Sequence, residues 1–185
     1  MMSRDEAYAL LCEHVEAENL RKHCLATEAI LRSLARRLGE DEELWGVVGL
    51  VHDLDFEQTK DAPAEHTKLT CQILADKGLP AQALQAIREH NAEALGIPRE
   101  STLGIALACG ETITGLIVAT ALVYPDKKLA SVKPKSIRKR MKKKDFARAV
   151  SREIIGECER IGVPLDEFIP LSLGAMQGIS DDLGL

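Results

Sequence analysis

Residues 103–124 read LGIALACGETITGLIVATALVY, an almost unbroken apolar run with one ionisable residue, Glu111, near its middle. A helix that is apolar on every side must be surrounded, either by other protein elements or by lipid. A carboxylate at bilayer depth costs several kcal/mol, and the rest of the chain is evenly polar. The run is therefore read as a buried central helix, opened by Ser101 and ended by Pro125. Any fold for this chain has to wrap that helix with others.

The supply of core residues points the same way. Aromatic residues make up only 3% of the chain, so Leu, Ile, Val and Ala must fill the interior, which favours helix packing over a β-sandwich. Ser3 begins an amphipathic run with Ala7, Leu10, Leu11 and Val15 on one face. Asn19 is placed to cap a second helix that Gly39 ends, and Asp41 a third that finishes with His52-Asp53. Residues 54–62 read as a polar loop. Pro63 is expected to start a fourth helix, stopped near Gly78, and Pro80 a fifth, running to Gly96. After the central helix come a basic strip, a helix from about 145 to 161, and a short one after Pro170. The expected fold is all-α, one domain of about eight or nine helices, with a core over about 19–125 and a helical extension over about 126–185.

Net charge is −5, but residues 133–144 (KPKSIRKRMKKK) hold eight Lys and Arg and no acid. The remainder carries 16 basic against 29 acidic residues, an acidic body with one basic strip. Five scattered cysteines without a Cys-x-x-Cys pair argue against a zinc ribbon or redox motif and for reduced thiols in the cytoplasm. The N-terminus is polar and acidic, without the apolar segment of a signal peptide.

The residues that carry chemistry are His23, His52, Asp53, His66, His90 and Glu111. Each lies on or at the end of an expected helix, and successive groups stand 13 to 29 residues apart. Consecutive antiparallel helices can then each offer one side chain to a common cavity, as metal sites in helical bundles are built. Imidazoles and carboxylates gathered this way can hold a divalent ion and a water. Glu111 stands out because an unpaired carboxylate in so apolar a helix would be costly. Four of the five histidines join the pattern; His14 does not.

His23, then His52-Asp53, then an acidic residue at 111 resembles the HD superfamily of metal-dependent phosphohydrolases. His66 and His90 resemble the subset of that superfamily with two metals. The segments His52-Asp53-Leu54-Asp55-Phe56-Glu57 and Glu111-Thr112-Ile113-Thr114-Gly115-Leu116-Ile117, and the Lys-rich strip followed by Phe146-Ala147, are similar to a compact bacterial group of predicted HD hydrolases. The resemblance implies an HD-type helical bundle. It implies a first ion at His23, His52, Asp53 and Glu111, and a second at His66 and His90 with Asp53 bridging. It also implies Asp53, His66 and His90 as the catalytic set, with metal-bound hydroxide attacking phosphorus in a small nucleotide or related phosphate ester. One departure stands out: the superfamily usually places Asp where this chain has Glu111.

With mixed nitrogen and oxygen ligands, Fe, Mn, Co, Ni and Zn all suit the site, whereas Mg prefers more oxygens. Lys135, Arg138 and Lys139 are the strip residues expected to point inward towards a substrate phosphate. The strip also reads as a solvated basic face. Nucleic acid is disfavoured as a partner, because no aromatic residues interleave the strip and the body is acidic; no membrane partner is expected. Two other functions share these residues: a diiron HD-type oxygenase, and a non-catalytic sensor that keeps a metal for structure.

Overall fold

The computed structural model describes residues 2–185. Among these there is no strand. The first helix, α1 (Arg4–His14), starts at a reciprocal cap in which the Ser3 side chain accepts from the Glu6 amide and Glu6 accepts from the Ser3 amide. The next, α2 (Glu18–Leu38), turns its apolar face inward through Cys24, Ile30, Leu31 and Leu34 and ends at Gly39 in the left-handed region, φ 75°. Asp41 caps α3 (Glu42–Val51) by accepting from the Leu44 amide. Every residue of α3 from Leu44 to Val51 is buried, between α1 and α2.

The α2–α3 crossing is set by one glycine. A Cβ at Gly49 would lie 2.8 Å from the Glu28 backbone Cα and N, so only glycine lets the two helices approach this closely. That approach brings the rings of His23 on α2 and His52 at the end of α3 to a centroid separation of 5.3 Å.

Four short elements follow: α4 (Phe56–Thr59), α5 (Lys68–Ala75), α6 (Ala81–His90) and α7 (Ala92–Leu95). The expected central helix is α8 (Thr102–Leu122), with Ser101 accepting from the Gly104 amide as its cap. It packs against α2 and α6 on one side and against the C-terminal elements on the other. Although long and apolar enough to cross a membrane, it is mostly buried inside the molecule. Its fully buried Leu107, Ile113, Leu116 and Ile117 each contribute about 1.5–3 kcal/mol by leaving water. The remaining elements are a 3-10 turn (Leu129–Ser131), α9 (Pro134–Met141), α10 (Arg152–Gly156), a second 3-10 turn (Glu157–Ile161), α11 (Leu165–Gln177) and α12 (Ser180–Leu183).

The architecture is all-helical, as expected, but with twelve α-helices among the described residues rather than eight or nine. The excess comes from pieces of four or five residues. The segment read as a polar loop contains α4. The helix expected from Pro63 begins only at Lys68, because residues 63–67 are turned to serve Asp55. The fifth helix breaks at Asn91. The helix expected over about 145–161 is a set of turns and two short elements: Arg152 donates to the carbonyls of Lys143, Phe146, Ala147 and Val150, and Ala147 sits at φ 47°. Guanidinium bonds thus take the place of helical ones. Pro170 lies inside α11 instead of preceding a helix; it withholds one amide but does not end the element.

Candidate metal centre

The ends of several elements meet at one point. His23 lies in α2, His52 caps the end of α3, Asp53 follows it, His66 sits in the turn before α5, His90 is the last residue of α6, and Glu111 is mid-way along α8. The rings of His52 and His90 are 5.1 Å apart and those of His66 and His90 5.0 Å apart, centroid to centroid.

Each of the four imidazoles has its Nδ1 taken by an acceptor. His52 Nδ1 donates to the Gly49 carbonyl (2.9 Å), His90 Nδ1 to the Ile87 carbonyl (2.5 Å) and His66 Nδ1 to Asp55 Oδ1 (2.7 Å). His23 Nδ1 donates to Thr114 Oγ1 (3.0 Å), whose own proton is given to the Glu111 carbonyl (2.6 Å). With Nδ1 protonated, the Nε2 lone pairs are left facing the centre.

What they face is the Asp53 carboxylate. Oδ2 lies 3.8 Å from His23 Nε2 and 3.5 Å from His52 Nε2. Oδ1 lies 3.2 Å from His66 Nε2 and 3.4 Å from His90 Nε2. The ligand atoms fall into two tight groups, His23–His52–Asp53 and Asp53–His66–His90, sharing one carboxylate. His66 Nε2 also stands 3.1 Å from His90 Nε2. The His52 Nε2 is buried with no hydrogen-bond partner. Buried polar atoms are ordinarily paired, so the donor set fits a cation.

Electrostatics agrees. Burial holds His52 neutral, its pKa pushed down to about 3. Burial alone would raise the Asp53 carboxyl, but His52, then His66 and His90, outweigh it and keep it well below the ordinary range. Burial opposes protonation of His66 too; Asp53 and Asp55 on either side reverse that and push it up to about 9, so a proton there stands in for a cation. Glu111 Oε2 is 3.8 Å from His23 Nε2, at the edge of the centre and outside the two tight groups. Burial raises its carboxyl, against the lowering pull of His23, His90 and Thr112.

Three supporting residues escaped the sequence reading. Asp55 is fully buried and takes three bonds, from His66 Nδ1, the Thr67 amide (3.1 Å) and the Thr70 amide (3.0 Å). It holds Thr67, a β-branched residue, at φ 77°, a backbone state that costs on the order of 1–3 kcal/mol. Thr114 fixes the tautomer of His23. Buried Arg99 donates to the carbonyls of Glu89 (2.9 Å) and His90 (3.1 Å) and pairs with Glu157 (2.8 Å), bracing the end of α6. Asp55 and Thr114 fall within the segments that resemble HD hydrolases but had no role assigned there; nothing in the sequence singled out Arg99.

Lys135, Arg138 and Lys139 do not point inward. All three are exposed, and Arg138 pairs with Asp166 (2.7 Å). The inward face of α9 is Ile137, with Met141 partly buried. The cavity lined by His23 and Glu111 is closed instead by residues 149–151 and Ile154.

No curated protein and no solved structure gives a match to the chain. A family model does: the HD domain matches residues 20–121, more than half of the sequence. That stretch runs from the first turn of α2 almost to the end of α8 and contains His23, His52, Asp53, His66, His90 and Glu111. With this donor set arranged for a divalent metal, the chain belongs to the HD-domain family of metal-dependent phosphohydrolases.

Proposed function

We propose that the protein hydrolyses a small phosphate ester, a nucleotide or a relative of one, with one or two divalent transition-metal ions held by its histidines. The observation that carries this reading is the convergence of four imidazole Nε2 atoms on one carboxylate, that of His52 without a hydrogen-bond partner. His23, His52, Asp53 and Glu111 would hold one ion; Asp53, His66 and His90 would hold a second. Nitrogen and oxygen donors together suit Fe, Mn, Co, Ni or Zn. When bound, such an ion acidifies a water towards neutrality and neutralises charge on phosphoryl oxygens.

The chain's own contribution is placement and exclusion of water. His52, His66 and His90 are buried, whereas the His23 side chain keeps 23% of its surface exposed. Substrate therefore approaches from the His23 side, between α2 and α8. The five unpaired cysteines suit the cytoplasm.

Metal analysis of the purified protein, then phosphate release from nucleotides, dinucleoside polyphosphates and cyclic dinucleotides with the metal found, tests the reading. Stoichiometric metal with turnover of one class is expected. Metal without phosphate release from any ester would leave a structural or sensing centre, and oxygen uptake by a mixed-valence diiron form would assign oxygenase chemistry.

A further inference from the structure

His23 borders three cavities. One of them is unlike the others. It has a volume of about 550 Å³, within the ~300–1,000 Å³ of small-molecule sites. Its wall on α8 is the stripe Thr114, Gly115, Val118, Ala119 and Leu122. Eight residues of helix separate Thr114 from Leu122, about 12 Å of rise. Thr114, at the start of the stripe, is bonded to His23. Leu122, at its end, is 50% exposed although large and apolar. Ala26 of α2, Met176 of α11, Leu183 of α12, and Gly184 and Leu185 beyond it, complete the opposite side.

The cleft thus touches the candidate centre through His23 alone, is polar there, and is largely apolar along α8. Its hydrogen-bonding side chains are Asn19, Lys22, His23 and Thr114, and no Phe, Tyr or Trp lines it. A nucleobase would find no stacking partner there, although stacking supplies much of the hold on a base. An alkyl group would lie against the aliphatic side chains of α8 along one side.

We infer that the substrate is the phosphate ester of an apolar alcohol, with its phosphate at His23 and its alkyl group lying along α8 towards Leu122. This rests on the reading of the centre as a phosphohydrolase of small phosphate esters, and within that class it favours an alkyl ester over a nucleotide.

The test is a series of n-alkyl phosphates from methyl to octyl. Binding to the metal-stripped protein is followed by calorimetry, and hydrolysis by the metal-loaded protein is followed by phosphate release. Affinity is expected to rise by about fourfold for each methylene taken up, the equivalent of about 0.8 kcal/mol of burial, and then to level off once the cleft is filled. Ala119→Phe, a change at a half-buried position, fills the cleft and should flatten the series, with helical content and bound metal as checks on the fold. Leu122→Ala should blunt only the longest members. Chain-length-dependent binding without any hydrolysis would overturn the phosphohydrolase reading and leave the cleft standing. Hydrolysis or binding indifferent to chain length, or a series that Ala119→Phe leaves as steep as before, would overturn the inference alone. So would a dimer in solution that Ala119→Phe dissociates, since a second copy would then be what covers the cleft.

Discussion

Replacing Asp55 by Asn is the sharpest probe of how the centre is held. The side chain keeps its shape, but one acceptor oxygen becomes a donor pair. In the native protein Oδ1 accepts from His66 Nδ1 and the Thr67 amide, and Oδ2 from the Thr70 amide. With its oxygen on the His66 side, the substituted carboxamide would set its NH2 against the Thr70 amide. Turned over, it would set that NH2 against the Thr67 amide and force the His66 proton onto Nε2, the ligand atom. Either way one buried donor is unpaired, at a cost of about 1–3 kcal/mol. The bonds that survive change from charged to neutral and lose about 1 kcal/mol apiece. The expected loss is about 3–4 kcal/mol, and at 185 residues each kcal/mol lowers the melting midpoint by about 2–4 °C. Calorimetric melting of the metal-free protein should therefore show a midpoint about 10 °C lower. A metal titration should show the His66–His90 position weakened about 10–100-fold, as for other residues that orient metal ligands. A variant with the native midpoint and native metal titration would falsify the account of Asp55 as the clamp on His66 and Thr67.

Asp53→Ala should abolish binding at both positions, whereas His66→Ala or His90→Ala should halve the metal content; full metal in Asp53→Ala, read by elemental analysis, would remove the shared carboxylate from the scheme. Gly49→Ala forces a Cβ to within 2.8 Å of the Glu28 backbone and should cost about 1–3 kcal/mol in urea unfolding; no change would mean that α2 and α3 slide apart freely. Burial pushes the Cys71 thiol up to about 11, with Arg88 opposing. It is therefore protonated at neutral pH, and its alkylation should keep quickening towards pH 11; a rate that levels off near pH 9 would contradict its burial. Buried Cys24, Cys109 and Cys158 should resist the same reagent until the protein unfolds.

The sequence was most legible where one physical demand dominated. Residues 102–122 had to be a surrounded helix because apolar residues occupy every side of it, and α8 is that helix. The histidines were legible as a group because their spacing matched one helix plus a turn, and they do converge. What stayed hidden was geometry decided at a distance. The stretch from Pro63 to Thr67 has no local reason to avoid a helix; the Asp55 carboxylate, 12 residues back from Thr67, imposes the turn. The same holds for residues 143–150, where Arg152 gathers four carbonyls. The basic strip misled because its charge suggested phosphate, while the burial of Ile137 turns its cations outward.

Arg99 carries a consequence for where this protein can be divided. Its guanidinium ties the His90 carbonyl to Glu157, and Arg160 in turn donates to the Arg99 carbonyl (2.6 Å) and to Glu157 (2.7 Å). Glu157 and Arg160 lie some 35 residues beyond the stretch that the HD family describes. A chain trimmed to that stretch would retain every imidazole yet lose the brace behind one of them. It would also leave a nearly desolvated guanidinium with the exposed Glu93 (2.7 Å) as its one remaining counter-charge. What was inherited as a module is therefore not what can be excised as one.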